Sequence, residues 1–272
     1  MSLEETKQLL RTHRISPNKL LGQNFMVEPS LYPKLCSYAA LSKADVVLDA
    51  GAGFGWLTSF LADKCKAVVA VEKDPHVAMV LREQVKGLSN VAVVEGNVLK
   101  VVLPEFNKVI TIPPYYLSSL LVLWLLERKV DCAVLILQKE FANRLLAPIG
   151  SEEYGWLTIV TRQCAEVEVL DAVPKAMFYP QPEVDSVIVS LKPLSIPSFE
   201  VKDLVFFMRM MKWLFTQRNK KLGKAIVPFI RSSLKLSKQD AEKLALSLPF
   251  HERRVRELPP KDFGALANAL PK

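Results

Sequence analysis

Residues 46–58 read Val-Val-Leu-Asp-Ala-Gly-Ala-Gly-Phe-Gly-Trp-Leu-Thr: an apolar run too short for a helix, an acidic residue at Asp49, glycines at 51, 53 and 55, then a fresh apolar periodicity. The pattern predicts a strand, a tight loop and a helix. Glycine suits such a loop because it accepts positive φ and lets a ligand come close to the backbone. A nucleotide-like group would then meet the N–H groups that open the helix. A second apolar run, 67–71, ends in Glu72, 17 positions after Gly55, where doubly wound folds place a carboxylate for ribose hydroxyls. A third run, 91–95, leads into Gly96-Asn97, and a fourth, 109–112, into Pro113-Pro114-Tyr115-Tyr116. Four strand ends thus offer polar or aromatic groups at one edge of one sheet.

The loop leaves two ligands open, a dinucleotide and S-adenosylmethionine, and close helix-on-strand packing is a third use for its glycines. The Gly-Ala-Gly-Phe-Gly spacing is closer-set than GxGxxG, which favours the methyl donor. At the fourth strand end, two prolines stiffen the turn and aim backbone carbonyls outward, while Tyr115 offers a ring face for a flipped base. A helix-start turn with a core tyrosine fits the same residues.

These groups need a scaffold, and residues 46–192 supply alternating strands and helices, as a parallel sheet with crossover helices requires. The expected strands are 46–50, 67–72, 91–95, 108–112, 131–137, 166–171 and 185–191. Helices are expected at 55–64, 75–87, 117–128, 139–146 and 153–164, with earlier ones over 1–15 and 29–41. Pro174, Pro180 and Pro182 leave no helix room between the last two strands, which should form an antiparallel hairpin at the sheet edge. A linker at 194–197 precedes four helical stretches, 201–215, 219–232, 238–246 and 260–270, giving domains of 1–193 and 198–272.

The chain has 272 residues, half of them hydrophobic, enough for one large core and a smaller one. Its net charge of +8 is unevenly held: residues 201–272 carry 16 Lys/Arg against 6 Asp/Glu, leaving 20 against 22 for the rest. A basic C-terminal unit beside a near-neutral one points to a polyanionic partner, with a solvated basic surface as the alternative. Cys36, Cys65, Cys132 and Cys164 are scattered without a CxxC pair, and His13, His76 and His251 are equally dispersed, so free thiols in a reducing cytoplasm and no metal site are expected. Nothing reads as a signal peptide, and the apolar stretch 117–126, interrupted by Ser118 and Ser119, is too short to span a bilayer.

Residues 19–26, 49–58, Val71-Glu72, Gly96-Asn97, 112–118 and 178–186 together resemble, in order and spacing, the small-subunit ribosomal RNA adenine N6-dimethyltransferases, the KsgA family, relatives of the erythromycin-resistance methylases. The GQNF segment at 22–25 and the Phe-Tyr-Pro-Gln-Pro-Glu-Val-Asp-Ser segment at 178–186 are its specific signals. The resemblance implies an α/β fold: a Rossmann-like class I methyltransferase sheet of seven strands, the last antiparallel, with a small C-terminal all-helical domain. It implies S-adenosylmethionine as methyl donor, held by Asn24, Met26, Gly51, Gly53, Glu72, Asn97 and Ile112, with Glu72 on the ribose hydroxyls. Asn97 stands where the family has an aspartate that accepts from the adenine amino group; an amide carbonyl still accepts, so weakened donor binding is expected.

The implied reaction dimethylates N6 of two adjacent adenosines near the 3′ end of small-subunit RNA. Ile112, Pro113, Pro114, Tyr115 and Phe178 fall on the target positions, with Tyr115 and Phe178 as stacking faces. The family motif is Asn-Leu-Pro-Tyr, so Ile112 removes its side-chain acceptor, and loss of one such group commonly costs on the order of 10²–10³ in rate. Thr111 would compensate only through a shifted turn. Two readings follow: a slow dimethyltransferase, or a non-catalytic assembly factor that binds immature small subunits. A NAD-dependent oxidoreductase would leave the Pro-Pro-Tyr turn and the basic tail without a role. Arg218, Lys220, Lys221 and Lys224, with Arg253 and Arg254, match the family's RNA-facing domain, where phosphate contacts give affinity and RNA shape gives selection. A cytoplasmic monomer is expected.

Overall fold

The computed structural model describes residues 2–18 and 22–271, so Lys19, Leu20 and Leu21 of the 19–26 segment lie outside the described residues. The chain divides into two compact units, one of residues 1–142 and 166–193, the other of residues 143–165 and 194–272.

The first unit is an α/β sandwich. Its strands are β1 (Phe25–Met26), β2 (Val46–Ala50), β3 (Ala67–Glu72), β4 (Val91–Glu95), β5 (Lys108–Thr111), β6 (Cys132–Gln138), β7 (Ala165–Val173), β8 (Phe178–Tyr179) and β9 (Ser186–Pro193). Helices α1 (Leu3–Thr12), α2 (Tyr32–Tyr38), α3 (Trp56–Ala62), α4 (Pro75–Gln84) and α5 (Ser118–Leu126) accompany them, and α6 (Lys139–Leu146) follows β6. Seven strands lie in the order β4-β3-β2-β5-β6-β9-β7. Pairings β2–β3, β2–β5, β3–β4 and β5–β6 are parallel, and β9 runs antiparallel to β6 from Ala133↔Leu191 to Gln138↔Ser186. All seven expected strands are present. The last in sequence enters between β6 and β7, which makes β7 the edge.

Strands β2 and β6 are buried almost throughout, which explains why they read as continuous apolar runs rather than alternating ones. Helix α4 starts where Asp74 accepts from the N–H groups of His76 and Val77 and Pro75 fills the first turn. Because the chain builds outward from β2 through β3 to β4 and then returns to the other side with β5, strand order reverses between β2 and β5. Ligands of open α/β sheets sit outside the carboxyl ends of the strands at such a reversal. A separate two-stranded ladder, Phe25↔Tyr179 and Met26↔Phe178, joins β1 to β8. No local pattern announced it.

The second unit holds α7 (Trp156–Cys164), α8 (Leu204–Phe215), α9 (Leu222–Ala225), α10 (Val227–Leu234), α11 (Lys238–Ser247) and α12 (Pro260–Ala269). The sequence reading placed 143–165 with the sheet. In the structure that segment packs with the C-terminal helices: the fully buried Tyr154 stacks edge-on against Phe215 at 5.8 Å and donates its hydroxyl to the Leu258 carbonyl at 2.8 Å. The helix expected over 219–232 is instead two, broken at Ile226, the residue before Val227-Pro228.

Candidate active site

At the carboxyl ends of β2 and β5 a cleft is lined by Asn24, Phe25, Gly51, Gly53, Glu72 and the turn from Ile112 to Tyr116. It adjoins a second hollow, reaching Asp49, Phe54 and Trp56, that shares Asn24, Phe25, Gly51, Gly53 and Ile112 with it. The structure therefore brings together most of the site residues expected from sequence in the first unit.

Four N–H groups of the glycine loop are spent inside the protein: those of Gly51 and Ala52 donate to the Val71 carbonyl, that of Gly55 to Ala52, and that of Gly53 to Glu72 Oε2 at 3.0 Å. What the glycines contribute is room. Gly51 lies at φ 88° and Gly53 at φ 57°, and a Cβ on Gly53 would come within 3.3 Å of the Phe25 ring. Phe25 in turn stacks on Phe54 with centroids 4.3 Å apart.

Two carboxylates lie beside this loop. Glu72 closes β3 and accepts from the N–H groups of Lys73 and Asp74 through Oε1, and from Gly53 through Oε2, which retains acceptor capacity. Asp49 is the penultimate residue of β2 and accepts from the hydroxyls of Thr58 at 2.8 Å and Thr111 at 3.0 Å. Burial raises Asp49 to about 6 against the pull of those hydroxyls, with the Glu72 charge adding to the rise. Burial also raises Glu72, partly offset by its three backbone donors. Among the described residues no cationic side chain is a cause of either shift. Buried carboxylates with hydrogen-bond donors but no cationic neighbour, set beside a cleft, favour a cationic occupant.

Thr111, the side chain that a shifted turn would offer in place of a motif asparagine, is committed to Asp49 and Ala50 beneath the loop. Ile112 lines the cleft with an apolar side chain that also packs on the core. Pro113 is buried, Pro114 presses on Gly51, and the Pro114 carbonyl accepts from Leu117 N–H. The Tyr115 hydroxyl meets Ser186 Oγ at 2.7 Å, and its ring stands edge-on to Phe178 at 6.4 Å. Phe178 is buried at 3% exposure within the core, because β1–β8 pairing folds it inward, so its faces are not open for stacking.

Other expected residues fall outside the cleft proper. Met26 is a core side chain that borders the second hollow rather than the first. Asn97 caps its own turn by accepting from Leu99 N–H and is not among the residues lining the cleft. Sequence reasoning missed Lys73 and Tyr116, which line the mouth with the Lys73 ammonium 5.7 Å from the half-exposed Tyr116 ring. Each directly follows a residue already singled out. Phe25 sat inside the GQNF segment without a role assigned.

Of the six expected RNA-contacting cations, three hold the second unit together. Arg218 donates to the carbonyls of Ser151 and Glu152, Arg253 to that of Glu257 and Arg254 to that of Asn219. Lys221 pairs with Glu252, while Lys220 and Lys224 are exposed. Among the described residues no group of three His, Cys, Asp or Glu side chains is placed to hold a metal, and no helix is long and apolar enough to cross a membrane.

The sheet order, the antiparallel β9 and the cleft at the β2–β5 reversal define a class I methyltransferase unit, joined to a helical one. A sequence model described as ribosomal RNA adenine dimethylase matches residues 15–246, and the chain belongs to that family. It is 38% identical over 250 residues, 91% of each chain, to "Probable ribosomal RNA small subunit methyltransferase A" of Methanosarcina mazei. It is 32% identical over 278 residues to ribosomal RNA small subunit methyltransferase A of Halothermothrix orenii, covering 97% of this chain and 92% of that one. Among solved structures, a dimethyladenosine transferase from Plasmodium falciparum superposes with a TM-score of 0.74 at 28% identity, over 89% of this chain and 95% of that one. The 23S rRNA methyltransferase ErmE gives 0.64 at 28% identity, over 91% and 99%.

Proposed function

We propose that this chain transfers methyl groups from S-adenosylmethionine to N6 of two adjacent adenosines near the 3′ end of small-subunit ribosomal RNA, within an immature subunit. The observation that carries this reading is the meeting, in one cleft, of Glu72, the Gly51–Gly53 loop and the Ile112–Tyr115 turn. The donor's chemistry suits the buried carboxylates: when bound, it supplies an electrophilic methyl on a positively charged sulfonium.

Glu72 would hold the donor's ribose hydroxyls, and Asp49 and Glu72 together would favour its positive charge near the loop. Gly51 and Gly53 keep the cleft open where any Cβ would narrow it. An exocyclic adenine amine is a poor nucleophile because its lone pair is delocalised into the ring. Carbonyl oxygens of the Ile112–Pro114 turn accept hydrogen bonds from that amine and localise the lone pair as the transition state forms. Tyr115, held by Ser186, positions the flipped base by its ring.

A second reading, an assembly factor that binds the subunit with little chemistry, is favoured by one observation: Ile112 supplies no side-chain acceptor and Thr111 is already committed. Incubation with radiolabelled S-adenosylmethionine and unmethylated small subunits, followed by mapping, separates them. Label in N6-dimethyladenosine near the 3′ end supports methyl transfer. No label, with donor and subunit still bound, supports the assembly role.

A further inference from the structure

With Arg218, Arg253 and Arg254 engaged in holding loops of the second unit, a different surface carries free positive charge. A groove between α9–α10 and α11 is bordered by Lys221, Lys224, Arg231 and Lys238, with only Glu242 and Glu252 as acids. Both acids are already paired, Glu252 with Lys221 at 2.5 Å and Glu242 with Lys238 at 3.9 Å. Lys224 and Arg231 form no ion pair at all among the described residues, although Lys224 is near enough to Glu252 to lower that carboxyl. They are exposed, seven positions apart on consecutive helices, and face one groove. Its floor is apolar: Pro228, and Leu246 at 60% exposure.

We propose that this groove is where the second unit grips a sugar–phosphate strand of the RNA, with Lys224 and Arg231 each on a phosphate and Leu246 and Pro228 beneath a ribose or base. The assignment rests on the ribosomal RNA reading above. Two unpaired cations beside an exposed apolar floor match a polymer that alternates anionic and flat apolar parts, whereas a simple acidic chain would leave the floor bare. Arg231 and Leu246 thereby become RNA contacts that the charge clusters of the sequence did not mark.

The test compares the full chain with Lys224→Gln/Arg231→Gln, with Leu246→Ser and, as a control, with Lys261→Gln on α12. Binding to a hairpin from the 3′ end of small-subunit RNA is followed by fluorescence anisotropy from low to moderate salt, with folding checked by thermal melting. The double variant should lose about 1.5 from the slope of log K against log salt concentration, at ~0.7–0.9 per phosphate, and bind on the order of tenfold more weakly. Leu246→Ser should weaken binding without changing the slope, and Lys261→Gln should resemble the parent. RNA binding whose strength and slope are untouched by the groove variants overturns the groove while leaving the ribosomal RNA reading intact. An equal loss of affinity for poly-glutamate overturns it too, by making the groove a general anion surface. A parent protein that binds no RNA overturns both readings.

Discussion

Pro114 lies directly against Gly51: a Cβ built on Gly51 would stand 2.6 Å from Pro114 Cδ. The contact closes the end of β2 on the turn after β5, so the glycine loop and the Ile112–Tyr115 turn are set by one another. Gly51→Ala must both adopt φ 88° and displace a ring fixed in a proline turn. We expect it to cost about 2 kcal/mol or more in denaturant unfolding and to abolish S-adenosylhomocysteine binding by calorimetry. Gly53→Ala, at φ 57° against one ring edge, should be milder on both measures. Equal effects would dissolve the link between the two loops.

On the proposed methyl-transfer reading, Ile112→Asn places a side-chain acceptor beside the target amine. Methyl transfer to unmethylated subunits should rise on the order of tenfold to a hundredfold, with kcat changing more than KM. A variant that binds donor and RNA as before but gains no rate would show that the missing acceptor does not limit this chain.

Asp49 should oppose folding as pH rises. It ionises at about 6 when folded against an ordinary 3.8 when unfolded. Between those values the native state holds more protons than the unfolded state, so stability is full below about pH 4 and falls as pH rises through 6. The loss is roughly 2–3 kcal/mol by linkage. Asp49→Asn keeps the Thr58 and Thr111 hydroxyls partnered and removes that fall, so the difference between the two proteins should open between pH 4 and 7 in urea titrations. The variant, more stable at pH 7.5, should bind the cationic donor less tightly. A pH-independent difference would place the charge outside the buried network.

Arg218→Gln should act on stability rather than on RNA. Its guanidinium bonds the carbonyls of Ser151 and Glu152, both within the second unit. Two charge-assisted bonds of this kind are worth about 1–3 kcal/mol. The melting temperature should drop while the salt slope of RNA binding stays put. A changed slope with unchanged melting would return Arg218 to the RNA-facing set.

The legible part of the fold was local. Strands β2, β3 and β6 are buried on both faces, so the sequence must write them as unbroken apolar runs. Asp74-Pro75 marks the start of α4 in two letters. Glu72 and the glycines were found because strand-end chemistry lies next to the strand that positions it. The β1–β8 ladder was not legible, because two-residue strands have no periodicity and their partners lie far apart in sequence. Phe178 therefore read as a stacking face, when pairing with Met26 turns it into the core. Segment 143–165 read as part of the sheet unit, since nothing in Tyr154 itself tells which core it will fill.

Charge shows the same divide. Counting Lys and Arg located the basic unit, and the type of each residue fixed what it is able to bond. Which cations are spent on carbonyls, as Arg218 and Arg254 are, and which stay free, as Lys224 and Arg231 do, depends on where distant backbone oxygens come to lie. Sequence by itself determined the alternation of strands and helices, the glycine loop that ends β2, the absence of a side-chain acceptor at Ile112 and the family. Tertiary structure alone decided that Thr111 is committed to Asp49, that the N–H groups of Gly51, Ala52, Gly53 and Gly55 bond inside the protein and that the free charge lines a groove, because hydrogen-bond partners are assigned by proximity in space rather than along the chain.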